Sequence, residues 1–316
     1  MGIKRLNHLL GGVFNNPQQR YYNAYEYAAH LPPSHRPIRL AVDVHLYIHK
    51  CVHSYKDPLW YLLEQYRRLV LAGFTPIYVF DGIPPKEKDR VIRERKEYIV
   101  AHPDNARNTH KLGSHVFLSI RTAFRGLGIP FVFAPFVEAD TICAAMYLHN
   151  LVDACLTDDM DIVVFGCDTI IRTVGGIWHA VHIDDVLESL GLQDNRPLFI
   201  TLCVLLGTDY NPPLHPQKKP EQVLKILKET GSFDAYTRAT PSVLPSHIKL
   251  ARRALDIFTN TTNTIENIEV IKCSPPWSIN NLLEYFQTGI DSNVFPSCHL
   301  ITKLSLRNLV HMTNGI

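Results

Sequence analysis

Seven carboxylates, Asp43, Asp81, Glu138, Asp140, Asp159, Asp161 and Asp209, fall at the ends of predicted strands or the starts of predicted helices. Several interrupt apolar runs; Asp43 sits inside Leu-Ala-Val-Asp-Val-His-Leu-Tyr-Ile. A carboxylate in a core position is unfavourable unless something positive neutralises it. Hard divalent cations prefer oxygen ligands and meet that need. Two such ions can clamp a phosphodiester, so the pattern points to phosphodiester hydrolysis. Each acid also has a plain structural reading. Glu138 and Asp140 suit the positive end of a helix dipole. Asp159 and Asp161 suit a polar strand-to-helix turn, Asp81 a turn beside Gly82 and Pro84, and Asp209 a loop cap. Those readings work one at a time; a shared site accounts for all the acids in one alternating pattern.

Positive groups over such a site would hold the reacting phosphate and offset its developing charge. Lys88 and Arg95 stand seven residues apart on a predicted charged helix and so share a face. Arg93, Glu94, Lys96 and Glu97 around them read as a solvated, salt-bridged surface. Lys218 and Lys219 lie in a Pro-rich loop where they could meet duplex phosphates or simply be surface lysines, and Arg252 and Arg253 are equally open. His45 and His49 have i, i+4 spacing, but no third ligand accompanies them, so they read as packed or hydrogen-bonded histidines. There is no Gly-rich phosphate loop, Gly-x-Ser-x-Gly or His-Glu-x-x-His.

The elements that must position these groups alternate. Strands are predicted at Ile38–Val42, Thr75–Phe80, Ile129–Ala134 and Asp153–Leu156, with helices at Pro58–Leu71 and Val137–His149. Strands separated by helices imply a largely parallel sheet, whose functional groups gather beyond the carboxyl ends of the strands. Asp43, Asp81, Glu138 and the Asp159 pair fall on that edge. Between Pro84 and Leu127 the chain leaves this pattern: a charged helix from Lys86 to about Val100 precedes a polar stretch, Pro103–Gly113. From Pro197 the strands mostly stop, and helices are predicted at Leu198–Leu206, Glu221–Glu229, Pro245–Thr259 and Ile279–Phe286.

The bulk numbers set bounds on this picture. With 316 residues, 46% hydrophobic and 20% charged, the chain suits one large or two modest globular domains. A net charge of +2 means that nucleic-acid binding must come from local basic patches. The seven cysteines are odd in number and mostly in apolar contexts, as expected of buried thiols in a reducing compartment. No leader-like opening and no membrane-length apolar run is read, so a nuclear or cytoplasmic location is expected.

The motifs resemble those of the flap endonuclease/XPG superfamily of structure-specific nucleases. Met-Gly-Ile-Lys-Arg-Leu opens the chain, followed by Ala-Val-Asp43-Val and Tyr-Val-Phe-Asp81-Gly-Ile-Pro-Pro. Val-Glu138-Ala-Asp140, Thr-Asp-Asp159-Met-Asp161 and Leu-Leu-Gly-Thr-Asp209-Tyr then occur in the family's order. The resemblance covers about residues 1–210. It implies a PIN-like three-layer α/β/α fold with a mostly parallel central sheet, a helical arch insertion at about 84–127 and a helical C-terminal region, 211–316. It implies two Mg²⁺ ions, with Mn²⁺ as a substitute. Asp43, Asp81, Glu138 and Asp140 would hold one group of contacts and Asp159, Asp161 and Asp209 the other. Lys88 and Arg95 match the family's basic pair, and Gly2 would lie near the site. The implied reaction is in-line attack of metal-activated water, leaving 5′-phosphate and 3′-hydroxyl ends.

The departures bear on substrate. His49 replaces the family's base-stacking aromatic, with Tyr47 close by. The segment from Asp81 to Glu138 is short, which implies a reduced arch. After Asp209, Asn-Pro-Pro-Leu-His-Pro-Gln-Lys-Lys-Pro replaces a glycine-rich helix–hairpin–helix, leaving Lys218 and Lys219 as duplex contacts. No sliding-clamp motif is read at the C-terminus. The leading expectation is a monomeric nuclease acting on flap or branched DNA in replication, repair or recombination, with RNA as a second substrate class. The alternatives are an mRNA-directed endoribonuclease similar to the herpesvirus virion host shutoff type, which would suit an origin in a large DNA virus, and a catalytically inactive binding fold. The retained acids and basic pair argue against the last.

Overall fold

The computed structural model describes residues 3, 5–10, 20–21, 24–30, 37–53, 57–101, 114–174, 177–193, 195–261 and 270–271. The first elements are a 3-10 turn at Leu6–His8, strand β1 (Arg20–Tyr21) and helix α1 (Ala24–His30). Strand β2 (Ile38–Asp43) then runs straight into α2 (Val44–His53). Next come α3 (Pro58–Leu71), β3 (Phe74–Phe80), a 3-10 turn at Lys86–Lys88, α4 (Asp89–Ala101), α5 (Ser114–Leu127) and β4 (Phe131–Phe133). Asp57 starts α3: its carboxylate accepts the Trp60 amide at 2.9 Å, and Pro58 needs no partner in the first turn. The strand-to-helix pattern continues with α6 (Ala139–Leu148), β5 (Ala154–Leu156) and α7 (Asp161–Phe165).

A hairpin not anticipated from the sequence follows, β6 (Thr169–Val174) and β7 (Ile177–His182), leading into α8 (Ile183–Leu190). The helical region comprises α9 (Arg196–Leu206), α10 (Pro220–Thr230), α11 (Phe233–Ala239) and α12 (Pro245–Thr259), before the short β8 (Val270–Ile271). The predicted helix at Ile279–Phe286 lies outside the described residues, as does the polar stretch Pro103–Gly113.

The strands form one eight-stranded sheet, ordered β1-β7-β6-β5-β2-β3-β4-β8. The pairs β2–β3, β2–β5, β3–β4 and β5–β6 are parallel, while the contacts made by β7 and β8 are antiparallel. The expected mostly parallel α/β architecture is therefore met. Period-two alternation feeds two cores. Leu40, Val42, Tyr78, Phe80, Phe131 and Leu156 join a core with residues of α1, α2, α3 and α5. Ala41, Val79, Val132 and Cys155 face the other core, shared with α6, α7, α9, α10 and α12. The sheet is thus the middle of three layers, which accounts for its nearly continuous apolar strands.

Two boundaries differ from the sequence reading. α5 belongs to the packed body: Ile120, Ala123 and Phe124 are fully buried. α5 therefore stands apart from the excursion expected over residues 84–127. The charged helix also starts differently, because Lys86–Lys88 is 3-10 and the α-helix begins at Asp89. The seven-residue spacing of Lys88 and Arg95 crosses a change of helix type, so it does not by itself set a common face.

Candidate active site at the sheet's carboxyl edge

Asp43 ends β2 and Asp81 directly follows β3, the two central neighbours of the parallel sheet. By the alternation of each strand, both continue the rows of Ala41 and Val79 and face the layer that contains α6. Glu138 immediately precedes α6 and Asp140 is in its first turn. The Ala139 amide donates to Asp81 Oδ1 at 2.6 Å, joining the end of β3 to the start of α6. Gly82 makes this approach possible, because a Cβ there would lie 2.2 Å from the Ala134 carbonyl oxygen.

The second group sits around α7. The Asp159 amide donates to Thr157 Oγ1 at 3.1 Å, and Asp159 Oδ1 accepts the Asp161 amide at 3.1 Å. Thr157 Oγ1 also donates to Asp43 Oδ2 at 3.3 Å, linking the two groups. Asp209 follows α9 after a sharp turn at Gly207, whose φ of +94° and contact with Pro213 suit only glycine. Asp209 acts electrostatically on Asp161 and helps raise its carboxyl.

These acids perturb one another. Burial, then the neighbouring Asp81, pushes Asp43 up to about 7. Asp140 is raised well above the carboxylate range by burial and by Asp159 and Asp43. Asp161 is raised likewise by burial and by Asp159 and Asp209, and its Oδ1 has no hydrogen-bond partner. Lys88 is the positive group among them. It is buried, with Nζ 2.8 Å from Glu138 Oε1 and 4.9 Å from the centre of the Tyr210 ring. Burial opposes its charge, but Glu138, Asp140 and Asp161 outweigh that and hold the ammonium above the ordinary lysine range. Tyr210 completes this corner by donating its hydroxyl to Glu138 Oε2 at 3.1 Å.

The donor set is oxygen-rich and suits a hard divalent cation, and the unpartnered Asp161 oxygen is a buried acceptor that a cation would satisfy. Among the described residues, no three His, Cys, Asp or Glu side chains stand together as a ready-made ligand group.

His45 is packed and hydrogen-bonded, as its sequence context suggested, and the structure adds its partners. His45 stacks on Phe117 with ring centres 4.2 Å apart, and its Nδ1 accepts the Asp81 amide at 3.2 Å. Burial holds this imidazole below its ordinary range. Asp81 Oδ2 approaches the same Nδ1 atom at 3.3 Å. Lys50 is ion-paired with Asp158, whose other oxygen accepts the Thr173 amide at 3.0 Å, so α2 and the unanticipated hairpin both brace the residue before Asp159.

The remaining predicted contacts are scattered. Tyr47 corrects an expectation: it is only 2% exposed, packed in the core beside Tyr61, and offers no face to a nucleobase. His49 is exposed on α2, its ring centre 6.5 Å from that of His45. Arg95 lies on α4, but its side chain is outside the described residues, as is Gly2. Lys218 is half-buried and Lys219 exposed at the start of α10. The Arg5 guanidinium donates to the backbone carbonyls of His215 and Lys218, tying this loop to the N-terminal segment. Arg252 and Arg253 are paired with Asp234 and Glu87.

Comparison with known proteins agrees with this layout. The XPG I-region family model matches residues 128–209, the stretch from β4 to Asp209. Flap endonuclease 1 of Pyricularia oryzae is 32% identical over 189 residues, covering 53% of this chain and 47% of that protein. Over these stretches the chain is similar to members of the flap endonuclease/XPG superfamily. It spans about half the length of the curated relatives it matches. Among solved structures, flap endonuclease-1 from Methanococcus jannaschii superposes with a TM-score of 0.60 at 15% identity, covering 90% of this chain and 95% of that one. The catalytic core of Rad2 in complex with DNA substrate gives 0.57 at 20% identity, covering 84% and 94%. At these identities the structures speak to the fold alone. The fungal and archaeal relatives lend the expected viral origin no support. Among the described residues no helix is long and apolar enough to cross a membrane.

Proposed function

We propose that this chain is a divalent-metal-dependent, structure-specific DNA endonuclease and 5′-exonuclease that hydrolyses phosphodiesters in flap or branched DNA. The observation that carries the reading is Lys88 buried against Glu138 within a set of mutually perturbed acids. An arrangement whose charges are costly at rest suits a site that is completed by cations and a phosphate.

Asp43, Asp81, Glu138 and Asp140 would hold one Mg²⁺ and Asp159, Asp161 and Asp209 a second, with Mn²⁺ as a substitute, some contacts running through water. Bound there, the ions would supply Lewis-acid stabilisation of the attacking and leaving oxygens. The protein's own part is to hold the reacting phosphate and exclude excess water. Lys88 would meet the non-bridging oxygens, with Glu138 and Tyr210 fixing where its ammonium stands. Arg95 is proposed to act with it from α4. Lys218 and Lys219 would take duplex phosphates, with Arg5 fixing the loop that bears them.

The test offers the purified protein 5′-flap DNA, nicked duplex and capped single-stranded RNA, in Mg²⁺ and in Mn²⁺, with Asp159→Asn as control. Cutting at the base of the flap, lost in the variant, is the expected result. Preferential RNA cutting would replace this reading with the endoribonuclease, and no cutting of any substrate would leave a binding fold.

A further inference from the structure

Two large apolar side chains stand in solvent at the rim of the carboxylate cluster. Phe136 is 79% exposed and Ile83 61% exposed, so each offers apolar surface to solvent. Both lie on loops that carry the site: Ile83 is two residues after Asp81, and Phe136 two before Glu138. The loops are joined through their backbones, with the Ile83 amide donating to the Pro135 carbonyl at 2.8 Å and the Gly82 amide to the Val137 carbonyl at 2.8 Å. Pro84, Pro85 and Pro135 limit the conformations open to both segments, and at Gly82 the loops approach so closely that a Cβ would meet the Ala134 and Val137 carbonyl oxygens. The two exposed side chains are therefore carried on joined loops that also bear Asp81 and Glu138.

Building on the nuclease reading, we propose that Phe136 and Ile83 form a platform for an unstacked nucleobase next to the reacting phosphodiester. The chemistry commits the occupant. A ligand reaching the carboxylates presents phosphate to Lys88, and the apolar, flat group tied to a phosphate by a short linkage is a base. A base inside a duplex has both faces covered, whereas one at a junction or in a single strand has a face free. Stacking on an aromatic ring is tolerant of sequence, so the platform reads the presence of an unstacked base and not its identity. It also gives an aromatic surface to a chain in which Tyr47 is buried and His49 stands on α2.

Binding tests this without requiring turnover. In the Asp159→Asn background, 5′-flap DNA labelled for fluorescence anisotropy is titrated in Ca²⁺, with a single abasic site placed in turn at each nucleotide around the junction. One abasic position is expected to weaken binding about tenfold, the loss of one stacked base. Phe136→Ala should weaken the intact substrate by a similar factor and abolish the sensitivity to that abasic site; Phe136→Trp should restore both and Phe136→Leu should not. Because Phe136 is exposed, thermal melting of these variants should match the parent. Equal affinity of Phe136→Ala and parent, retained abasic sensitivity in Phe136→Ala, or absence of flap-DNA binding by the parent would each overturn the platform. Failure of the nuclease reading shows separately, as wild-type protein that binds flap DNA but cuts nothing in Mg²⁺ or Mn²⁺.

Discussion

The carboxylate edge and the Pro-rich loop before α10 both carry charge that the proposed function assigns to nucleic acid, yet they are built in opposite ways. At the edge, Lys88, Asp43 and Asp161 are buried and fixed by neighbouring strands and helices. In the loop, Lys219 is exposed and Lys218 half-buried, and what is tied down is the backbone, through Arg5. Buried charge acts in a low dielectric and is strong, specific and intolerant of change. Exposed charge is screened, additive and forgiving. The edge is therefore suited to chemistry and the loop to holding a polyanion, and substitutions should separate the two.

The largest effect is expected at the edge. Asp159→Asn or Asp81→Ala should lower cleavage by at least about a thousandfold, since the loss of an ion's stabilisation of transition-state charge is worth several kcal/mol. The circular dichroism spectrum should not change. Near-normal cleavage by either variant would remove these residues from the site. Next comes Lys88→Met, which leaves Glu138 buried without its cation. It should lower kcat about a hundredfold or more while KM moves little, and it should destabilise the fold by about 3–5 kcal/mol, as breaking a buried pair does. A rise in KM with kcat unchanged would make Lys88 a binding residue and erase the contrast with the loop.

The edge should also govern stability against pH. Asp43 is raised from 3.8 to about 7, and Asp140 and Asp161 are raised as well. Between these limits the folded protein holds more protons than the unfolded chain, so stability without divalent cations should fall as pH rises from about 4 through 7. Lys88, raised in its turn, stays charged throughout that window. Glu64, held at about 2 by Arg67 and Arg68, works the other way, but only below its ordinary 4.5, and the lowered His45 and His215 oppose the decline up to their ordinary 6.5 without matching three raised acids. Melting temperatures measured in chelator across this range should decline, and Mg²⁺ should lift the upper end most. A flat or rising profile in chelator would mean that the acids are not in conflict.

What can be read from the sequence follows the same division. The parallel strands and their terminal acids are legible because a carboxylate closing an apolar run is costly, and a shared cation site is what offsets that cost at several strands at once. α3 and α12 are legible to the residue because each begins with a proline and runs amphipathically. The β6–β7 hairpin escapes notice although Gly175-Gly176 between two β-branched runs is a hairpin signal. The partner of His45 is hidden because spacing along the chain points only to His49, whereas the hydrogen bond comes from the Asp81 amide, 36 positions away. Tyr47 misleads for a related reason: its place on α2 is readable, but which face of that helix the core covers is decided by α3 and the sheet.

The smallest effect belongs to the loop. Lys218→Ala with Lys219→Ala should leave the cleavage rate at saturating substrate unchanged and weaken duplex binding. Each lost phosphate contact should flatten the dependence of log affinity on log salt by about 0.9, so the pair should change the slope by up to about 1.8. Arg5→Ala gives a sharper version, because Arg5 donates to the backbone of His215 and Lys218 and leaves both lysine charges in place. If position matters, Arg5→Ala should weaken duplex binding with a slope nearer the parent's than the double variant's, and Arg5→Lys should restore it in part. A slope unchanged by removing both lysines would take the loop off the DNA surface. Duplex grip would then fall to basic residues elsewhere, and the contrast between edge and loop would hold for burial alone.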